Sequence, residues 1–415
     1  MPALGFRLRL SHDLKLLLAA RVIRSAAQAL LTISVPLYLV AAGHGPLTVG
    51  GVLSAGSMGS IVLVVLVGVT AHRLGSRVVL IALAILGCVG SAAFALTTDA
   101  MALALMAALA TIGRGGGAGS GGAWGPFFPA EQPLIAACVS DRDRNAAFAL
   151  LSMAGVAGSA AGSLLAGLPT LLTTAFDMGF VDAFRPAFLV AALAGAAVIG
   201  LVAQVREVGF SGPPARLLTI PSSARQLIGR LWLTNSLNGF IIGALGPFMT
   251  YWFSIRYGVG PATLGVLYTA VNLATIVAFL GAPVLATRLG SVRAVMGTRL
   301  AGSVCFAAMA LAPGFALAAV AYAARAMLNA VSATLRQSFV MGVSEERSRP
   351  AVAAFGNLPA QLTGTVTPTL GAYLVHAVSV ELPIWLATIA MAANAILYGA
   401  LFRRFTPPEE RPAAK

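Results

Sequence analysis

Gly68-Val69-Thr70-Ala71-His72-Arg73-Leu74-Gly75-Ser76-Arg77 is a short polar interruption with two arginines between two long apolar runs. An apolar run long enough to cross a bilayer must end where arginine can reach water, so the stretch is expected to be a loop at a membrane face. About half a chain later, Pro283-Val284-Leu285-Ala286-Thr287-Arg288-Leu289-Gly290-Ser291-Val292-Arg293 repeats the Arg-Leu-Gly-Ser core. Two copies of one turn at that separation point to a duplicated unit.

Composition agrees with a membrane setting. Of 415 residues, 58% are hydrophobic and 10% charged, too little polar surface for a globule in water. The apolar runs far exceed the roughly 10 residues of a barrel strand, and open sheet edges are forbidden in lipid, so the spans are helices. The net charge of +14 sits on arginines spread through short loops, with no basic tail or patch. Membrane orientation accounts for it better than nucleic acid does. Cys88, Cys138 and Cys305 lie singly in apolar segments and give neither a disulfide framework nor a metal site. The run that follows Arg7 and Arg9 extends past Val40, so it reads as a first span and not as a removable signal.

Breaks at charges, glycines and prolines leave twelve stretches of span length, at about 15–42, 47–71, 78–98, 101–138, 146–170, 185–205, 228–256, 262–286, 294–313, 315–343, 350–376 and 382–402. Basic residues crowd alternate loops, among them Arg73, Arg77, Arg142, Arg225, Arg288, Arg293, Arg299 and Arg403, whereas the opposite loops carry Asp99, Asp177, Asp182 and Glu381. That asymmetry predicts a multi-pass protein of the cell membrane with both termini cytoplasmic. The longest polar interruption, rich in Gly, Pro, Ser and Arg, divides the chain into an N-terminal six-helix bundle (1–205), a cytoplasmic linker (206–227) and a C-terminal six-helix bundle (228–415). The halves echo each other at Arg21 and Arg230, Arg73 and Arg288, Arg114 and Arg325, and Gln132 and Gln337.

These features resemble the major facilitator superfamily, whose loop Gly-x-x-x-Asp-Arg-x-Gly-Arg-Arg joins the second helix to the third and recurs weakly between the eighth and ninth. Gly68, Arg73, Gly75 and Arg77 keep that spacing, while His72 and Thr287 stand where the family has aspartate. The resemblance covers essentially the whole chain. It implies twelve helices in two pseudo-symmetric bundles, with Gly68, His72, Arg73, Gly75, Arg77 and Arg288 in a gating loop. A cytoplasmic loop that simply collects arginine is the plainer alternative.

The resemblance also implies a cavity lined by the first, fourth, seventh and tenth helices, and polar residues lie on those four spans. On the first, Arg21, Arg24, Gln28 and Thr32 share one helix face. On the seventh, Asn235 and Asn238 are three apart. The fourth carries Arg114, Glu131 and Gln132, and the tenth Arg325, Arg336 and Gln337. Charges inside apolar sequence usually face protein or water. Arg114 either serves substrate binding or proton coupling or pairs structurally with Glu131 or helix carbonyls. Glu131 is either a buried proton carrier or a residue at the lip of a span, and Arg21 and Arg24 are either cavity residues or anchors. Residues 101–138 would run about 57 Å as one straight helix, well beyond a core of roughly 30 Å. A break facing the cavity is expected between Gly115 and Pro129. Gly155, Gly158 and Gly162 on the fifth span, and Gly364 and Gly371 on the eleventh, are expected to let helices approach closely.

Gly117 to Gly122 fits Gly-x-Gly-x-x-Gly but follows no strand, and no His-Glu-x-x-His occurs. No nucleotide site, metal, cofactor or enzymatic activity is expected. The expected function is secondary transport of a small organic solute, with export as one direction considered, by a monomer using alternating access. A proton or other ion is the candidate coupling partner, and the interior arginines give a weak preference for an anionic substrate. The rivals are a non-transporting sensor or scaffold on the same fold, and a lipid scramblase or flippase.

Overall fold

The computed structural model of the protein describes residues 11–110, 125–139, 144–206, 222–243, 247–343 and 349–403. The helix α1 (His12–Ala41) starts under a cap. The Ser11 hydroxyl accepts a hydrogen bond from the Leu14 amide at 3.3 Å, and Asp13 sits in the first turn, where the helix dipole favours an acid. There follow α2 (Pro46–Leu74), α3 (Ser76–Leu96), α4 (Ala100–Ala110), α5 (Phe127–Ala137), α6 (Arg144–Leu165), α7 (Leu168–Phe176), a 3-10 turn (Asp182–Phe184) and α8 (Arg185–Val202). The later helices are α9 (Ser222–Gly243), α10 (Pro247–Tyr257), α11 (Pro261–Leu289), α12 (Ser291–Leu311), α13 (Phe315–Val343), α14 (Arg349–Ala377) and α15 (Leu382–Phe402). Proline stands at the first or second position of seven of them (α2, α7, α8, α10, α11, α14 and α15), where its missing N–H costs no helical hydrogen bond.

The expected loop at 68–77 is one residue long. Helix α2 continues through Leu74, so Gly68, His72 and Arg73 are helical, and Arg77 lies in the first turn of α3. Polar residues alone do not end a helix; the backbone of Gly75 does, with φ 88° and ψ 146°, a conformation a Cβ would strain. Gly290 repeats it between α11 and α12, with φ 79° and ψ 149°.

Among the described residues, nine helical stretches are long and apolar enough to cross a membrane, which makes this a multi-pass all-α membrane protein. The expected spans at 101–138 and 228–256 are each interrupted by residues outside the description. That at 350–376 is the single helix α14, made less apolar by Pro359, Pro368 and a series of threonines. Leu96, Met101, Phe176 and Leu311 are each more than 70% exposed, a surface suited to lipid.

The chain groups into two compact units, Met1–Pro214 with Val259–Asn272, and Ala215–Gly258 with Leu273–Lys415. In the first, α1 packs on α6 and α8, and α3 on α4 and α8, around Leu14, Leu17, Leu83, Leu134 and Leu151. Gly158 and Gly162 of α6 lie so near the backbone of Val22 and Ala26 in α1 that a Cβ would collide. The first part of α11 joins this unit, with the Thr269 hydroxyl donating to the Ala160 carbonyl at 3.0 Å. In the second unit, α9 packs on α14 and α15, and α12 on α13 and α15, around Leu231, Val295, Phe339 and Phe402. Gly239 meets Ala360 and Thr363 in the same close way, and the Thr363 hydroxyl donates to the Ser236 carbonyl at 2.8 Å.

Candidate functional site

The polar face of α1 points into the first unit. Arg21 and Arg24 are 1% and 6% exposed, and both reach Glu131 of α5, itself 5% exposed. Arg21 Nη1 lies 3.0 Å from Glu131 Oε2, and Arg24 Nη2 lies 2.7 Å from Oε1. Each carboxylate oxygen therefore accepts from a different arginine. Phe127, one helical turn before Glu131, places its ring 4.3 Å from the Arg24 guanidinium carbon, within cation–π range. Glu131, Arg21 and Arg24 thus form a buried clasp.

Arg24 and Gln28 border a cavity of about 50 Å³ with Ser91, Ala110 and Phe127. It has room for water-sized guests, far below the roughly 300–1,000 Å³ of sites for organic ligands. The Gln28 Oε1 is buried there without a hydrogen-bond partner. Gln132, next to Glu131, is exposed. Arg114 and the predicted break lie largely outside the described residues, as α4 ends at Ala110 and the description resumes at Gly125. Gly125 has φ 134° and is not helical, and α5 begins two residues later.

The second unit gathers a different set. Asn235 of α9 is buried, accepts from Arg336 Nη1 of α13 at 2.6 Å and donates to the Gly356 carbonyl of α14 at 2.5 Å. Asn238 is half-buried and Gln337 exposed. Arg325 is buried with its guanidinium carbon 5.0 Å from the Phe306 ring and 5.8 Å from that of Tyr322. Arg299, counted from the sequence among the loop charges, is buried instead. Helix α12 starts at Ser291, directly after the Gly290 turn, so Arg299 lies two turns inside it. Its Nε donates to the Ser332 hydroxyl of α13 at 3.1 Å, and its guanidinium carbon stands 5.4 Å from the Tyr398 ring of α15. Sequence reasoning also missed Phe127, Ser332 and Tyr398; a charge well inside the apolar run of 294–313 was the one available signal.

Of the gating candidates, Gly68, His72 and Arg73 have side chains outside the description, and Arg288 is exposed at the end of α11. Arg77 donates from Nη2 to the Ala203 carbonyl, tying the start of α3 to the end of α8.

Comparison with known proteins bears on this architecture. Residues 231–415 match the family model described as Major Facilitator Superfamily. A solved auto-inhibited peptide transporter of the POT family is similar in fold at a TM-score of 0.74 and 13% identity, covering 97% of this chain and 99% of that one. A bacterial homologue of the human lysosomal transporter Spinster, inward-facing and occupied, gives 0.72 and 14%, covering 97% and 98%. The human organic anion transporter TETRAN gives 0.64 and 16%, covering 93% and 98%. The curated proteins contain no match. The family match lies in the second half of the chain, and the likeness to the solved structures shows a shared fold.

Proposed function

We propose that this protein, matched to the Major Facilitator Superfamily over residues 231–415 and sharing the fold of solved transporters along nearly its whole length, is a secondary transporter that moves a small organic solute, with a preference for anions, between two six-helix halves of a twelve-helix bundle. The halves comprise 1–205 and 228–415, joined by a cytoplasmic linker at 206–227, with both termini cytoplasmic. The fold does not name the cargo, because its solved relatives include peptide and organic anion transporters. The preference rests on the sign of the interior charge: Arg325 is buried in α13, and the second unit holds no buried carboxylate among the described residues. Glu131, the buried acid of the first unit, is already bonded to two arginines. An anion matches the planar donor fork of an arginine.

Flux of paired solutes into liposomes containing the purified protein tests this. An organic anion should be transported and its neutral analogue should not. Arg325→Ala and Arg114→Ala should each weaken anion binding by up to about a hundredfold, since water and the remaining arginines compensate in part. Unchanged affinity in both variants would leave the anion preference without support. Absence of flux for every solute, with a protein partner co-purifying, would favour a sensor or scaffold, and lipid movement between leaflets would favour a scramblase.

Orientation has its own test. Cysteines at Ser76, Ser223 and Ser291 should resist an impermeant reagent in intact cells, whereas those at Asp99, Asp177 and Glu381 should react. Labelling of position 223 from outside would reverse the topology.

A further inference from the structure

The arginines of the second unit carry an inference that does not depend on the identity of the transported solute. Arg299 of α12, Arg336 of α13 and Tyr398 of α15 are 5%, 8% and 0% exposed. Arg299 bonds Ser332, which lies one helical turn from Arg336 on the same face of α13, so both guanidinium groups come to one side of that helix. Phe339, a further turn along, sets its ring 6.1 Å from that of Tyr398. Arg299 itself lies against the Tyr398 ring. Arg336 lies four residues from the Ser332 that holds Arg299, so the two like charges are near neighbours.

Each of the three has a buried donor atom with no hydrogen-bond partner: Arg299 Nη1, Arg336 Nε and the Tyr398 hydroxyl. Buried donors are costly to leave unmade, and charged ones more so. Two like charges in a closed protein interior add a second penalty. The first unit meets the same problem with a carboxylate between Arg21 and Arg24, but no buried acid occurs in the second unit among the described residues. Water would satisfy the donors without neutralising the charge. An anion does both, and side chains buried this completely favour a small one.

We propose that Arg299, Arg336 and Tyr398 form a site for a small monovalent anion of halide type, held inside the second unit as a permanent counter-charge. The arginines bind it through Nη1 and Nε, and the tyrosine hydroxyl donates a third hydrogen bond. Such an ion stabilises the folded unit by linkage and is distinct from any transported solute.

Thermal unfolding of the full-length purified protein in sodium chloride or sodium bromide, against sodium gluconate at equal ionic strength, tests the site. Gluconate is too large to enter, so halide should raise the midpoint by roughly 2 °C at a concentration about tenfold above the dissociation constant. Tyr398→Phe keeps the ring and removes one donor, and should reduce the halide shift. Arg299→Gln should abolish it. A wild-type protein indifferent to halide overturns the proposal, as does a shift that survives both substitutions. The other source of counter-charge is Glu345 and Glu346, which lie outside the described residues. If these acids fill the role, the wild type will ignore halide and the Glu345→Gln/Glu346→Gln double variant will acquire a halide response. Flux measured in the same buffers separates this result from the transport reading, which can fail or stand on its own.

Discussion

In the first unit a carboxylate on α5 lies between two arginines of α1; in the second, the corresponding stretch of α13 presents Arg336, which bonds the neutral Asn235 and shares its surroundings with Arg299. Gln132 follows Glu131 and Gln337 follows Arg336, so the two places correspond in sequence while their charges are opposite. The first unit thus holds two buried arginines with a carboxylate between them, and the second holds Arg299 and Arg336 with no buried carboxylate among the described residues. The lesson is that similar short stretches of sequence can sit in buried polar clusters of different charge. Compensation inside the chain can be broken by deleting a partner, whereas compensation from outside responds to what is dissolved around the protein.

The largest effect expected is at the clasp. Glu131→Gln leaves Arg21 and Arg24 buried side by side without their counter-charge and should cost roughly 3–5 kcal/mol of stability. Arg336→Gln removes one bond to Asn235 but also relieves a repulsion, and should cost about 1 kcal/mol. Thermal or denaturant unfolding of both variants in detergent measures the difference. Equal losses would mean that the clusters are not distinct in kind.

Helix crossings should behave alike in both units, which sharpens the contrast in charge. Gly158→Val and Gly239→Val each force a side chain into a neighbouring helix and should cost roughly 1–3 kcal/mol, read by the same unfolding measurement. A large difference between them would show that the packing, too, has diverged. The glycine turns are a milder version of that test. Gly75→Ala and Gly290→Ala place a Cβ on backbones of nearly equal φ and ψ, so each should lose about 1–2 kcal/mol, and by similar amounts.

The smallest effect is expected at a rim pair. Arg256 and Glu381 are 3.1 Å apart and about one third exposed. Water screens such a pair, and Arg256→Ala should cost at most about 1 kcal/mol. A loss as large as that of Glu131→Gln would remove burial as the explanation of the difference between the two ion pairs.

Much of this was legible in the residues themselves. Hydrophobic runs of span length, basic loops and the repeated Arg-Leu-Gly-Ser core require a multi-pass helical chain, because lipid admits few other ways to satisfy a backbone. The small residues at Gly158 and Gly162 announced a close crossing, since only they admit one. Three and four residue spacings put Arg21, Arg24 and Gln28 on one face, as helical geometry demands. Tertiary structure decided what that face meets. Glu131 is over a hundred positions from Arg24 along the chain, and no local periodicity can specify which of several distant charges will come within 2.7 Å of each other. Arg299 shows the same boundary in reverse. A charge two turns inside a span is compatible with a loop end or a buried cluster, and only the placement of Ser332 and Tyr398 around it on two other helices selects the second.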